Sequence, residues 1–449
     1  MRRVPLIPAI LALTAAALAS TIALAARGYD PTTLVYPTYK HDLGMHHVTD
    51  THLRLFTGNQ HRFRNPRGVA AVKLRERDKP NKIGDDDELT VYGLNAGEHV
   101  IIYNTSMVSL DTYGGEGSGR YQLRNPQGIT ADPAGNVYVA DTGNDRVVHL
   151  RNRDGKLRPL RIFGGDTGAD DALRFRAPEG IDMTSGGDIY VADTGNDRIV
   201  VVGKDGRFAR TIGESTLEDP TALALVDRGE RWSHRKAAFL IVIERDGTML
   251  HKYDLAGNET GSVTREELGL PHARFRGIDI DYYHQLYVTD EANHQIHKLN
   301  RDLQLITSFG REGGGDAEFQ GPYGIAIWRR FGQIFISEAS GAQYYWIGVD
   351  VLDYHAEPAV IQERGKIRFR NTERARVTVT IRDEKKRILR TLVENRVVPT
   401  GSQTFVWNGK NDAGDRLSPG RYTVHILARP TYSSKSYFQK EVAFPVRLG

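Results

Sequence analysis

Val137-Tyr138-Val139-Ala140-Asp141-Thr142-Gly143-Asn144-Asp145-Arg146 returns almost unchanged as Ile189-Tyr190-Val191-Ala192-Asp193-Thr194-Gly195-Asn196-Asp197-Arg198, a period of 52 between Asp141 and Asp193. That spacing is too long for a hairpin and suits one small sheet, so the chain is a repeat protein. Each copy opens on a Pro-x-Gly-like turn and a short apolar strand. The openings are Pro66-Arg67-Gly68-Val69, Pro126-Gln127-Gly128-Ile129, Pro178-Glu179-Gly180-Ile181, Pro220-Thr221-Ala222-Leu223, Phe275-Arg276-Gly277-Ile278 and Pro322-Tyr323-Gly324-Ile325. A Gly/Asn/Asp turn follows, then a strand rich in β-branched and aromatic residues, such as Gln285–Asp290 or Gln333–Glu338. A third strand begins near Arg146, Arg198, Gln295 and Gln343, and a fourth ends at Tyr113-Gly114, Phe163-Gly164, Ile212-Gly213 or Phe309-Gly310.

Six units of four short strands predict an all-β chain whose main body is a six-bladed β-propeller. Both faces of each blade pack on neighbours, which explains why Val137–Ala140 shows no apolar/polar alternation. The words Pro-x-Gly-Ile, (Val/Ile)-Tyr-Val-Ala-Asp and Asn-Asp-Arg-(Val/Ile) closely resemble the NHL repeat family. Departures occur in blade one, with an acidic insertion Asp85–Glu88, and in blade four, around Arg228–Trp232. The ring has to close. Thr51–Gly58 reads as a fourth strand with a Phe-x-Gly ending, expected to pair with the strands around Gly321–Gly348 and so remove an open edge.

Residues 1–26 carry Arg2 and Arg3, an uncharged apolar run from Val4, and Ala23-Leu24-Ala25, the pattern of a secretory signal peptide. An uncleaved anchor is the alternative, since the run is just long enough to span. The chain contains no cysteine, so disulfides and cysteine lipidation are excluded, and stability rests on buried core. The formal charge of +4 falls to +2 without Arg2 and Arg3, a balance that argues against nucleic acid and anionic membrane as partners. The expected organisation is signal peptide 1–26, propeller 27–352, linker 353–358 and a small sandwich over 359–449, with the mature chain a monomer in the periplasm or secreted.

The C-terminal part has alternating strands such as Val377–Ile381 and tight-turn pairs at Asn408-Gly409 and Pro419-Gly420. Its string Trp407-Asn408-Gly409-Lys410-Asn411-Asp412-Ala413-Gly414, continued by Pro419-Gly420-Arg421-Tyr422-Thr423-Val424, closely resembles the FlgD-type immunoglobulin-like domain. Trp407 and Tyr422 then serve as core aromatics. Related modules act as C-terminal sorting domains in some secretion systems, although their upstream Asn-Pro-x-Asn-Pro element is absent here.

Some propellers resembling this one are enzymes: zinc-dependent peptide-amidating lyases, lactonases and streptogramin lyases. The lyase pattern places histidine after proline at several inner-strand starts, because zinc needs converging nitrogen ligands and an open position. Here those positions are Arg67, Gln127, Glu179, Thr221, Arg276 and Tyr323, and none is histidine. His294 and His297 are the remaining zinc alternative and lack further ligands. His46 and His47 point to opposite sides of an extended chain. Asp166, Asp170 and Asp171 are the calcium alternative and lack EF-hand spacing. No cofactor is therefore predicted, and no serine-nucleophile elbow is present. Asp141, Asp193, Arg146 and Arg198 are expected to be structural, capping turns and bridging to neighbouring backbone.

The six unlike residues Arg67, Gln127, Glu179, Thr221, Arg276 and Tyr323 are expected to converge as exposed loops on one channel mouth, forming a ligand-binding surface. The expected function is an exported, non-enzymatic binding or scaffold protein for a protein, peptide or cell-envelope glycan. The alternatives are a metal-dependent lyase or lactonase-like enzyme, and a structural component of a surface or secretion assembly.

Overall fold

The computed structural model describes residues 31–38, 46–58, 60–77, 89–106, 109–165, 171–435 and 437–449. The expected signal peptide, the acidic insertion, and two of the calcium candidates, Asp166 and Asp170, lie outside them. Six antiparallel sheets surround a central channel, each led by an inner strand: Pro66–Lys73, Gly128–Ala131, Pro178–Met183, Ala222–Val226, Phe275–Ile280 and Ile325–Trp328. Neighbouring inner strands contact one another in sequence order and the last contacts the first, so the ring is closed.

Glycine in the opening turn follows from how tightly those strands approach. A Cβ on Gly128 would lie 2.0 Å from the Glu179 carbonyl oxygen, and one on Gly277 would lie 2.2 Å from that of Tyr323. Hydroxyls at the ends of the second strands tie several blades to the next. Thr142 Oγ1 donates to the Pro178 carbonyl at 2.6 Å, Thr194 to Pro220 at 2.7 Å, and Thr289 to Tyr323 at 2.6 Å. The Asp-Arg pairs are structural. Asp141 accepts the Arg124 amide at 2.6 Å and the Arg146 Nε at 2.6 Å, while the Arg146 guanidinium holds the carbonyls of Ser118, Gly119 and Gln122.

Closure differs from the sequence expectation. Asp50–Thr57 is an α-helix, not a strand. Its start is fixed by Thr49, whose amide donates to His52 Nδ1 at 3.3 Å, and its end by Gly58 in the left-handed region at φ 67°. The Phe-x-Gly ending is therefore a helix C-terminus, with Leu53 buried beneath it. Blade six, Ile325–Trp328, Gln333–Glu338 and Gly341–Ile347, is completed instead by two upstream strands, Leu34–Val35 and His47–Thr49, both paired antiparallel to Gly341–Ile347.

The C-terminal part is a sandwich of a three-stranded sheet, Val351–Glu357, Gly365–Asn371 and Gly401–Trp407, on a five-stranded one. Trp407 is fully buried, meets Tyr422 edge-on at 5.8 Å and donates Nε1–H to the Lys410 carbonyl at 3.1 Å. Residues 353–357 of the expected linker are strand, paired with Gly365–Asn371, because their backbone completes that sheet. The two parts are not loosely joined. Lys298 of blade five and Glu373 of the sandwich form a fully buried ion pair at 2.7 Å, and Tyr432 enters the blade-five/blade-six core.

Candidate functional site

The channel encloses about 600 Å³. At its first mouth the structure brings the six sequence-chosen residues around one opening. They are half-buried rather than exposed: Arg67, Glu179 and Arg276 belong to the inner strands themselves, Gln127 and Thr221 immediately precede one, and Tyr323 is separated from its strand by Gly324 alone. Arg67 stacks on Tyr323, with the guanidinium carbon 3.9 Å from the ring centroid. The Arg67 Nε is buried without a hydrogen-bond partner. Arg276 lies 5.9 Å from the same centroid and is anchored by Glu291 at 2.8 Å and Asp246 at 3.1 Å. The Tyr323 hydroxyl faces Gln127 Oε1 at 3.5 Å, and Thr221 points its hydroxyl at the Ile243 carbonyl at 3.5 Å.

Glu179 is the anomaly of this mouth. Burial pushes its carboxyl up to about 7, against the downward pull of Arg276 and Arg67. It therefore changes charge near neutrality, facing an arginine pair and a tyrosine. Chemically, this mouth offers a guanidinium with unused donor capacity, an aromatic face, an amide and a carboxyl able to accept or donate.

A second charged layer sits at the far ends of the inner strands, and sequence reasoning missed it. Asp182 accepts the Leu225 amide at 2.9 Å and Asp279 accepts the Ile327 amide at 2.6 Å, each joining its blade to the next. Arg329 spans them, donating to Glu230 at 3.1 Å, to the Leu225 carbonyl at 2.9 Å and to the Ile280 carbonyl at 2.7 Å. Burial raises Asp182 to about 7, assisted by the charge of Asp279. The signal was available: Gly180-Ile181-Asp182 and Gly277-Ile278-Asp279 carry aspartate where the other blades have Thr130 or an alanine.

The histidines are otherwise engaged. His294 Nδ1 accepts the Gly321 amide at 2.9 Å, whereas His297 is fully buried between Asp290 at 3.0 Å and Ser308 at 2.8 Å. His47 meets Glu338 at 2.9 Å, and the His46 ring lies tilted against Tyr36 with centroids 3.9 Å apart. Among the described residues no group of three His, Cys, Asp or Glu is placed to hold a metal.

Two family models match stretches of the chain. The NHL repeat matches residues 123–150 and 175–202, and the FlgD Ig-like domain matches 359–430. The chain is an NHL-repeat propeller with a C-terminal FlgD Ig-like domain. It is similar to peptidyl-alpha-hydroxyglycine alpha-amidating lyase 1 of Drosophila melanogaster, 24% identical over 243 residues, covering 47% of this chain and 42% of that protein. It is also similar to protein brain tumor of the same organism, 23% identical over 134 residues, 29% of this chain and 12% of that one. The chain thus spans less than half the length of either curated relative. Among solved structures, a gluconolactonase from Xanthomonas campestris aligns over 63% of this chain and 86% of its own at 12% identity, with a TM-score of 0.44.

Proposed function

We propose that this protein is an exported binding protein that recognises a peptide, protein or cell-envelope glycan through the first mouth of the propeller channel. The observation that carries this reading is Arg67: a half-buried guanidinium stacked on Tyr323, its Nε without a partner, beside a carboxyl held near neutrality. Arginine and tyrosine in a partly desolvated setting are the residue types that concentrate binding energy. Export rests on the basic and apolar pattern of residues 1–26.

A propeller enzyme of the lyase or lactonase kind is the second reading, favoured by the similarity to the amidating lyase. The donor set fits it poorly. The six inner-strand starts offer two arginines, a glutamine, a glutamate, a threonine and a tyrosine, and zinc catalysis calls for convergent imidazoles. The two readings separate by experiment. The double variant Arg67→Ala with Tyr323→Ala should lose capture of its partner from a cell-envelope extract by at least about tenfold, with melting lowered by only a few degrees for the lost cation–π stack. Undiminished capture would move the site away from this mouth. Stoichiometric zinc or calcium surviving dialysis of the purified protein would favour the enzyme.

A further inference from the structure

Five of the six blade junctions are filled by a cluster of buried apolar side chains. At the sixth, where blade six meets blade one, none is found among the described residues; a cavity of about 260 Å³ lies there instead. One residue accounts for much of the difference. Opposite Ile129, Ile181, Leu223, Ile278 and Ile325 of the inner strands, five blades place Val139, Val191, Val242, Val288 and Ile336, all fully buried and each packed with the preceding blade. In blade one that register position, opposite Val69, is Gly93. Its φ is not positive, and a Cβ built on it would meet nothing within 4 Å. Glycine is thus not required there by backbone conformation; it leaves room, the situation in which a strand glycine marks close approach of another molecule.

The walls are apolar and rich in rings. Phe335 and Tyr344 stack at 4.7 Å and 2°, and Phe56 and Phe63 contribute from the helix Asp50–Thr57 and the segment after it. One polar atom among the lining residues is buried and unpaired. Gln333, 1% exposed, spends its amide nitrogen on the Tyr344 hydroxyl at 2.8 Å and leaves Oε1 buried without a partner. An unsatisfied buried acceptor is costly unless something donates to it.

We propose that the closing seam of the ring is a binding site, separate from the channel, for a small aromatic molecule carrying one hydrogen-bond donor. The rings supply edge and face contacts to an aromatic guest, and Gln333 Oε1 takes its N–H or O–H. Size agrees: an apolar cavity of about 150 Å³ accommodates benzene, so 260 Å³ suits a bicyclic ring.

Indole and its isostere benzofuran, which lacks the N–H, are the probes, used with the full chain in calorimetric titration and thermal melting. Indole should bind saturably, raise the melting temperature, and bind several-fold more tightly than benzofuran. Gly93→Val should abolish binding of both while leaving melting unchanged or higher, because the added methyls occupy open space. Gln333→Leu should weaken indole about fivefold and leave benzofuran unaffected, a difference worth one ordinary hydrogen bond. Gly93→Ala, a smaller filling, should weaken both probes and guards against a valine variant that fails to fold. Absence of indole binding by the native chain overturns the proposal. So does indole affinity unchanged in both Gly93 variants, or an equal loss of both probes in Gln333→Leu.

Discussion

At the scale of single residues, the channel mouth is governed by burial acting on charge. Glu179 is raised to about 7 because the bore desolvates it more than Arg276 and Arg67 compensate. A carboxyl whose folded-state value is raised holds its proton more tightly in the folded chain. Stability therefore falls as pH rises from the ordinary carboxylate range through about 7, then levels off. Glu179→Gln should match the native chain near pH 4 and exceed it in urea midpoint at pH 8. An identical pH dependence in the two proteins would mean that the carboxyl is not desolvated. The choice of Arg67, Gln127, Glu179, Thr221, Arg276 and Tyr323 from sequence was possible because the Pro-x-Gly turn marks one symmetric position in every blade. Their half-burial was not legible, since a turn motif does not reveal the width of the bore it opens on. Asp182 and Asp279 were missed for a related reason: each looks like an ordinary strand residue until the next blade's amide is seen to need an acceptor.

At the scale of elements, closure depends on two short strands paired to Gly341–Ile347. Gly341 sits at φ 157°, and a Cβ there would lie 1.9 Å from the Val48 carbonyl oxygen. Gly341→Ala should therefore displace the His47–Thr49 strand and cost about 1–3 kcal/mol in chemical denaturation. Gly261→Ala, where a Cβ meets nothing within 4 Å, should cost nothing measurable or stabilise slightly through the unfolded state. Equal behaviour of the two would show that the His47–Thr49 strand does not hold the ring closed. The helix Asp50–Thr57 shows why this element misled a reading by motif. An apolar or aromatic residue followed by glycine ends a strand in four blades, and the similar Phe56-Thr57-Gly58 ends a helix here, because glycine serves both a left-handed helix cap and a blade turn. Thr49 at the cap and Asp50 in the first turn were the contrary signals.

At the scale of the molecule, propeller and sandwich share a buried boundary. Lys298 and Glu373 have fully buried side chains, and burial together with the charge of Glu373 raises the nearby Asp281 carboxyl. Breaking such a pair from one side strands a charge. Lys298→Met should cost about 3–5 kcal/mol, and adding Glu373→Gln should recover a large part of it. Additive losses in the double variant would show that the pair is not coupled. The sandwich is consequently not free to act as an independent module cut near Glu357, since Val351–Glu357 is the edge of its own sheet and Tyr432 belongs to the propeller core.

By itself the sequence determined the blade count, the four-stranded blades, the C-terminal sandwich and the ring of residues at the channel mouth. Each is written in local chemistry that repeats: turn residues that tolerate the needed dihedrals, glycines where carbonyls crowd, apolar strands packed on both faces. Only the tertiary structure decided which strands complete the last blade, that the sandwich docks through Lys298 and Tyr432, and that Gly93 leaves a cavity at the seam. These depend on which distant segments meet, and the free energy of such a meeting belongs to both partners, so neither segment's own residues declare it.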